Sequence, residues 1–336
     1  MELAHLKYLI CPNCQNDLTI NEMREFAGNN IQSGSLSCRQ CHAIYPIVNH
    51  IPRFVSPKNY AANFGLEWSL HARTQYDSES GINESQQRFF KETTWPRNLE
   101  NETILEVGCG SGRFTEHAAS TGAMVISIDY SNAVDANYSS NGHLENVLII
   151  QADLFHLPVR QHSFDKLFCI GVIQHTPDPH NAFKLLVTYL KPHGHLVIDV
   201  YKKSWHRFTT PKPYLRPLLC KLAPEKLYRL IKTYIDVMWP VARQLRKIPF
   251  IGRNLNWLLG IADYSNRNLN EVKLKQWAYL DSFDMFSPRY DKPQTLSTVK
   301  KWFQNENLTN IDIRYGYNGI EARAKVPDET YHEIRH

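Results

Sequence analysis

Three glycines at alternate positions, Gly108, Gly110 and Gly112, follow an apolar run and an acid in "LEVGCGSGRF", residues 105–114. Such a loop narrows what the chain can fold into. It belongs at the end of a strand, where the backbone turns sharply and a ligand approaches closely. The flanking pattern agrees. From 102 to about 200, short apolar runs alternate with stretches of helical spacing, as in a parallel sheet with crossover helices. The strands read "TILEVG", "MVISID", "NVLIIQAD", "FDKLFCIGVI" and "GHLVIDVY". "GRFTEHAAST" predicts a helix after the first strand, ending near Gly122. "NAFKLLVTYL" predicts one before the fifth, stopping at "KPHG", where Pro192 cannot continue it and Gly194 can turn. Further on, "QTLSTVKKWFQNENL" predicts a helix, and "NIDIRYG" and "GIEARAKV" two strands joined by a short turn.

A phosphate-binding loop would place Lys and Ser or Thr after its last glycine, but Arg113 and Phe114 stand there. The E-x-G-x-G-x-G form from Glu106 to Gly112 instead resembles motif I of the class I S-adenosylmethionine-dependent methyltransferases. Later positions keep that family's order. Asp129 ends the second strand, Asp153 ends the third, "FDKLFCIGVIQHTPDP" looks like the fourth-strand motif, and "LKPHGHLVI" resembles the family's entry to the fifth. The resemblance spans roughly 102–200. It implies an α/β, Rossmann-like seven-stranded methyltransferase sheet and S-adenosylmethionine as cofactor. The implied cofactor residues are Glu106, Gly108, Gly110, Gly112, Asp129, Tyr130, Asp153, Leu154 and Ile170. Asp129 would accept the ribose hydroxyls, and Asp153 would face the adenine edge with Leu154 packed nearby. Plainer roles stay open: Glu106 holding the loop through backbone amides, Asp129 and Asp153 as strand-end caps, Cys109 and Cys169 as small buried residues. His175, where the fourth strand opens toward the methyl group, could be a general base or could fix a loop by hydrogen bonding.

"CPNC" and "CRQC" supply Cys11, Cys14, Cys38 and Cys41. Two C-x-x-C turns separated by a hairpin-length segment make a tetrahedral four-cysteine zinc site, and seven cysteines in all fit a reducing compartment better than a disulfide framework. The context resembles the zinc ribbon of the small methyltransferase-activator family, fused here in front of the sheet. A structural Zn2+ is the expected role, since so small a domain rarely folds without a staple.

Between Tyr201 and Arg253 stand thirteen Lys and Arg against Glu225 and Asp236, so this segment carries +11 and the rest of the chain −6. "PEKLYRLIKTYIDVM" reads as an amphipathic helix with Leu227, Leu230, Ile231, Tyr234 and Met238 on one face. The expected layout is a ribbon at 1–56, a helical linker or lid at 57–100, the cofactor core at 101–200, a basic helical cap insertion at 201–280 and the end of the core at 281–336. The cap would sit over a small or lipid-linked anionic acceptor, methylated at oxygen, or make peripheral contact with anionic lipid. RNA is the alternative acceptor, and a non-catalytic partner-binding scaffold the alternative to an enzyme. Asp281, Asp284 and Tyr290, in "LDSFDMFSPRY", could line the acceptor pocket, either acid serving as base. The fourth-strand motif "IQHTPDP" lacks the N-P-P-Y/F pattern of amide- and adenine-methylating enzymes. No run is long and apolar enough for a transmembrane segment, and the N-terminus lacks a secretory signal, so the expected location is cytoplasmic, with contact at the inner membrane surface as an option.

Overall fold

The computed structural model describes residues 1–27, 30–56 and 59–328. Its N-terminal part is an antiparallel sheet, β1 (Leu18–Ala27), β2 (Asn30–Cys38), β3 (Ile44–Val48) and β4 (Ile51–Pro52), in that order. Three helices follow: α1 (Ala62–Leu70), the single turn α2 (Asp77–Ser80) and α3 (Glu84–Thr93). Asp77 fixes the start of α3 by accepting from the Ser85 and Gln86 amides, both at 2.8 Å.

The large sheet is built from β5 (Thr103–Val107), β6 (Met124–Asp129), β7 (Val147–Gln151), β8 (Phe164–Ile170), β9 (Leu190–Val200), β10 (Thr309–Tyr315) and β11 (Ile320–Lys325). Its order is β10-β11-β9-β8-β5-β6-β7. The first five strands in sequence are parallel, while β11 runs antiparallel to β9 and β10 to β11. The order reverses beside β5, and a crevice opens at the carboxyl ends of strands at such a switch point. Alternation along β5 sends Ile104 to one face and Leu105 to the other. Leu105 joins Ile126, Leu148 and Leu167, and Ile104 joins Phe89, Val125 and Phe168.

Helices α4 (Thr115–Ala119), α5 (Ala133–Asn141), α6 (Pro179–Thr188) and α11 (Leu296–Asn305) pack on the sheet. Two boundaries differ from the sequence reading. α4 is a short helix between turns. α6 begins earlier than expected, with Asp178 capping the His180 and Asn181 amides and Pro179 in the first turn, and it ends before Pro192. "LKPHG" is already strand, and His193, not Gly194, takes the left-handed conformation at φ 61°.

The cap holds α7 (Lys212–Leu219), α8 (Pro224–Leu245), α9 (Gly252–Leu258) and α10 (Glu271–Phe286), the last running across the boundary expected at 280. The buried stripe of α8 is Leu227, Ile231, Ile235 and Ala242, packed on Phe283 and Phe286 of α10. Leu230 and Tyr234, expected on that stripe, are exposed. Their helical position lies one step around from the buried row, which hydrophobic spacing alone could not separate.

Candidate active site

Gly108, Gly110 and Gly112 all take positive φ (82°, 53° and 91°). Two of them are forced by crowding as well. A Cβ on Gly108 would lie 2.2 Å from a Val172 methyl, and one on Gly112 would lie 2.1 Å from Asn137 Oδ1. The loop is held by Asp129, whose carboxylate accepts from the Gly110 amide at 2.9 Å and from the Ser131 amide and hydroxyl at 2.8 and 2.7 Å. Glu106 does not bond the loop amides. It accepts from the Thr115 and Ser127 hydroxyls at 2.6 and 2.7 Å, tying α4 to β6, and burial raises its carboxyl to about 7.

A cavity of about 910 Å³ lies over the carboxyl ends of β5, β6 and β8. Ligand sites run from about 300 to 1,000 Å³, so this one has room for a nucleoside cofactor and a second molecule. Gly108, Gly110, Asp129, Tyr130, Leu154 and Ile170 line it as expected from sequence. Glu106, Gly112 and Asp153 do not. Asp153 caps the turn Leu154–His156 through the Phe155 amide at 3.1 Å.

The far end of the cavity brings together His175, Asp281 and Asp284. The His175 Nδ1 is 2.9 Å from the Tyr290 carbonyl oxygen, so it must carry the proton and donate. Burial holds the ring below its ordinary pKa, and a neutral ring of this tautomer has its lone pair on Nε2. The loop-fixing bond is therefore present, and it leaves a base-competent nitrogen. Tyr290 itself does not line the cavity. Burial, with the Asp284 charge nearby, pushes the Asp281 carboxyl up to about 7 against the opposing pull of a Tyr264 hydrogen bond. Gln75 donates to Asp281 at 3.4 Å, and the Tyr201 hydroxyl to Asp284 at 3.4 Å.

Sequence reasoning missed the contribution of the lid. Glu67 of α1 is buried in the cavity wall, its Oε2 has no hydrogen-bond partner, and burial reinforced by Asp284 and Asp281 pushes its carboxyl well above the usual range. Trp68 leans over Gly110, where a Cβ would lie 3.0 Å from the indole Nε1. Arg88 of α3 reaches the cavity while paired with Glu92 at 2.6 Å and Asp199 at 2.9 Å. Arg113 also lines the wall, stacked on Phe114. The "FGLEW" stretch offered a faint signal, an acid amid apolar residues in a helix.

The basic residues of the cap mostly lie elsewhere. Among those whose side chains are described, Lys202 and Lys212 line the cavity, and Lys212 pairs with Asp291 at 3.0 Å. Arg243 and Arg246 pair with Glu271.

In the ribbon, the sulfurs of Cys11, Cys14, Cys38 and Cys41 all lie within 4.8 Å of one another. Tetrahedral zinc with Zn–S of about 2.3 Å sets sulfurs roughly 3.8 Å apart, so the four fit. The two turns are built alike. Gln15 and His42 each follow the second cysteine with positive φ and donate an amide back to the first cysteine's carbonyl, at 2.8 and 3.0 Å. His42 is thus a turn residue, not a ligand. The ribbon is joined to the sheet as one body. Arg53 pairs with Gln151 at the β7 edge, donating to its Oε1 at 2.8 Å and to Asp135 at 2.6 Å, and the Phe54 amide donates to the Gln151 carbonyl at 2.8 Å. Leu9 bridges to Val159, and Leu36 and Ile47 belong to the same apolar cluster as Leu105.

Comparison with known proteins agrees with this geometry. Residues 105–198 match the methyltransferase domain family, and residues 2–49 match the Trm112p-like protein family. The chain therefore joins a Trm112p-like ribbon to a class I methyltransferase domain. It is similar to a ubiquinone biosynthesis O-methyltransferase of Acinetobacter baumannii (strain AYE), 30% identical over 121 residues, covering 35% of this chain and 48% of that protein. A protein of the same name from Pasteurella multocida is 27% identical over 177 residues, covering 48% and 73%. The chain spans about half the length of the Acinetobacter relatives it matches. Among solved structures, an S-adenosylmethionine-dependent methyltransferase from Aquifex aeolicus covers 80% of this chain and 99% of its own, at 13% identity and a TM-score of 0.40.

Proposed function

We propose that this chain transfers a methyl group from S-adenosylmethionine to a hydroxyl oxygen of a small or lipid-linked acceptor held beneath the cap. The observation that carries this reading is a single cavity joining the glycine loop and Asp129 to the carboxylates Glu67, Asp281 and Asp284. The cofactor, when bound, supplies an electrophilic methyl on a sulfonium centre. Asp129, at the end of β6, would hold its ribose hydroxyls, and the glycine loop would let the backbone close on it. At the other end, Asp281 would take the acceptor's proton as the oxygen attacks and the carbon–sulfur bond breaks. A base with a pKa near the working pH is well matched to that task. His175 Nε2 is the second candidate base. Glu67, held neutral, would donate to the acceptor through the oxygen that now lacks a partner. The remaining contribution is alignment in a site shielded from water.

The far end of the cavity mixes both signs of charge: Asp281 and Asp284 stand with Arg113, Lys212 and Arg267 among Tyr264, Trp257 and Trp277. We infer an acceptor whose ring or polyhydroxyl part meets the aromatic residues while an anionic part meets the cations. That the similar proteins are named O-methyltransferases of ubiquinone biosynthesis supports oxygen as the acceptor atom. The four cysteines would hold a structural zinc.

Incubation with methyl-labelled cofactor and fractionated cell extract should put label into lipid or small-molecule fractions; label in RNA alone would overturn the proposal. On the acceptor so found, Asp281→Asn should lower kcat about 10²-fold or more and leave cofactor affinity unchanged. The wild-type rate should climb as pH rises through about 7, because the carboxylate is the active form. Asp129→Ala should weaken cofactor binding by about 2 kcal/mol, roughly 30-fold. A folded protein with no affinity for the cofactor would support the scaffold reading instead.

A further inference from the structure

We propose that the outer face of the cap docks on an anionic lipid bilayer. The helix α8 has two apolar faces. The inner one packs on α10. The outer one, Leu230, Tyr234, Val237 and Val241, follows a 4-3-4 spacing and so forms one stripe along the helix. All four are exposed, Val237 by 71%. The stripe runs on into the turn after the helix, where Ile248 and Ile251 are exposed and Phe250 is fully so. The Tyr234 hydroxyl donates to the Leu259 carbonyl at 2.8 Å, which sets exposed Leu258 beside the same stripe. The neighbouring α7 buries none of its residues and presents Leu215 and Leu218, the latter 67% exposed.

Charge identifies what covers this face. The segment 201–253 carries +11, and Glu271 and Asp291, which lie outside it and pair with Arg243, Arg246, Lys212 and Arg216, leave +9. Asp236, one of its two acids, is taken by Lys232, Lys275 and Tyr279. A second copy of the chain docking about a two-fold axis would oppose the same positive surface to itself. The occupant must be apolar and anionic together, and a bilayer with anionic headgroups is both. An amphipathic helix with a basic flank lies in that interface with its apolar face among the acyl chains, and each nearby Lys or Arg adds attraction that fades within a Debye length. Among the described residues no helix is long and apolar enough to cross a membrane, so the contact is peripheral. Lys202, Lys212 and Trp257 line the cavity from the same cap. A lipid-linked acceptor would therefore meet the site next to the surface it leaves. The docking itself does not depend on the methyl-transfer reading.

The test uses the full chain and vesicles of phosphatidylcholine with or without phosphatidylglycerol, read by co-sedimentation. Binding to the anionic vesicles should be at least about tenfold stronger and should weaken as salt rises. Val237→Glu and Phe250→Glu should each reduce it about tenfold or more while melting temperature and cofactor affinity stay as in the wild type, since both side chains are exposed. Equal partitioning onto the two vesicle types would overturn the proposal. So would undiminished binding by both variants, or a concentration-dependent dimer that Val237→Glu abolishes.

Discussion

The ribbon and the cap are both additions to the same sheet, and they are joined to it in different ways. The ribbon puts Leu9, Leu36 and Ile47 into the core of the sheet, leaves Met23, Phe26, Ile44 and Val48 exposed, and spends polar groups on the joint, through Arg53, Phe54 and Ile10. The cap has a core of its own and keeps a second apolar row in solvent. An addition that shares a core is part of the fold's stability. An addition with an uncovered row is stable without it, and the row is available for something else.

The largest expected consequence is at the metal. Chelating the proposed zinc, or Cys38→Ser, should cost several kcal/mol and lower the melting of the ribbon and the sheet together, because they form one cluster. Calorimetry showing two transitions, with the upper one unmoved, would break the comparison. Next in size is Arg53→Ala. It leaves the Gln151 side chain and Asp135 without their cation and removes a largely buried partner, so about 2–3 kcal/mol of stability should be lost in denaturant titration. A loss below about 0.5 kcal/mol would mean the joint is held by its apolar contacts alone. The smallest effect is expected on the cap. Val237→Ser should shift stability by no more than about 0.5 kcal/mol, since the side chain touches little. A large loss there would show that the outer row is packed after all.

Much of this architecture was written in local chemistry. β-Branched runs such as "MVISID" and "VLII" made strands because they are buried on both faces, and the alternate glycines marked a place where the backbone turns with positive φ beside the cavity. The cysteine spacing was sufficient to predict the gathering of the four sulfurs. What stayed hidden depended on long-range packing. Glu67 and Arg88 reach the cavity because α1 and α3 fold back over the sheet, which nothing near them in sequence dictates. Asp153 follows the family's order and also caps the Phe155 amide, a local bond that spacing alone did not reveal. Leu230 and Leu227 are alike as residues; only the position of α10 decides which is covered.

The bridge at Arg53 and Gln151 also has a consequence for stoichiometry. A ribbon on a separate chain would be occupied only above its dissociation constant, and the fraction of complete molecules would follow the supply of both. Tethered through residues 54–61 and merged with the sheet's core, this ribbon is present at one per site at any dilution. Whatever the site does cannot be tuned by making more or less of its ribbon.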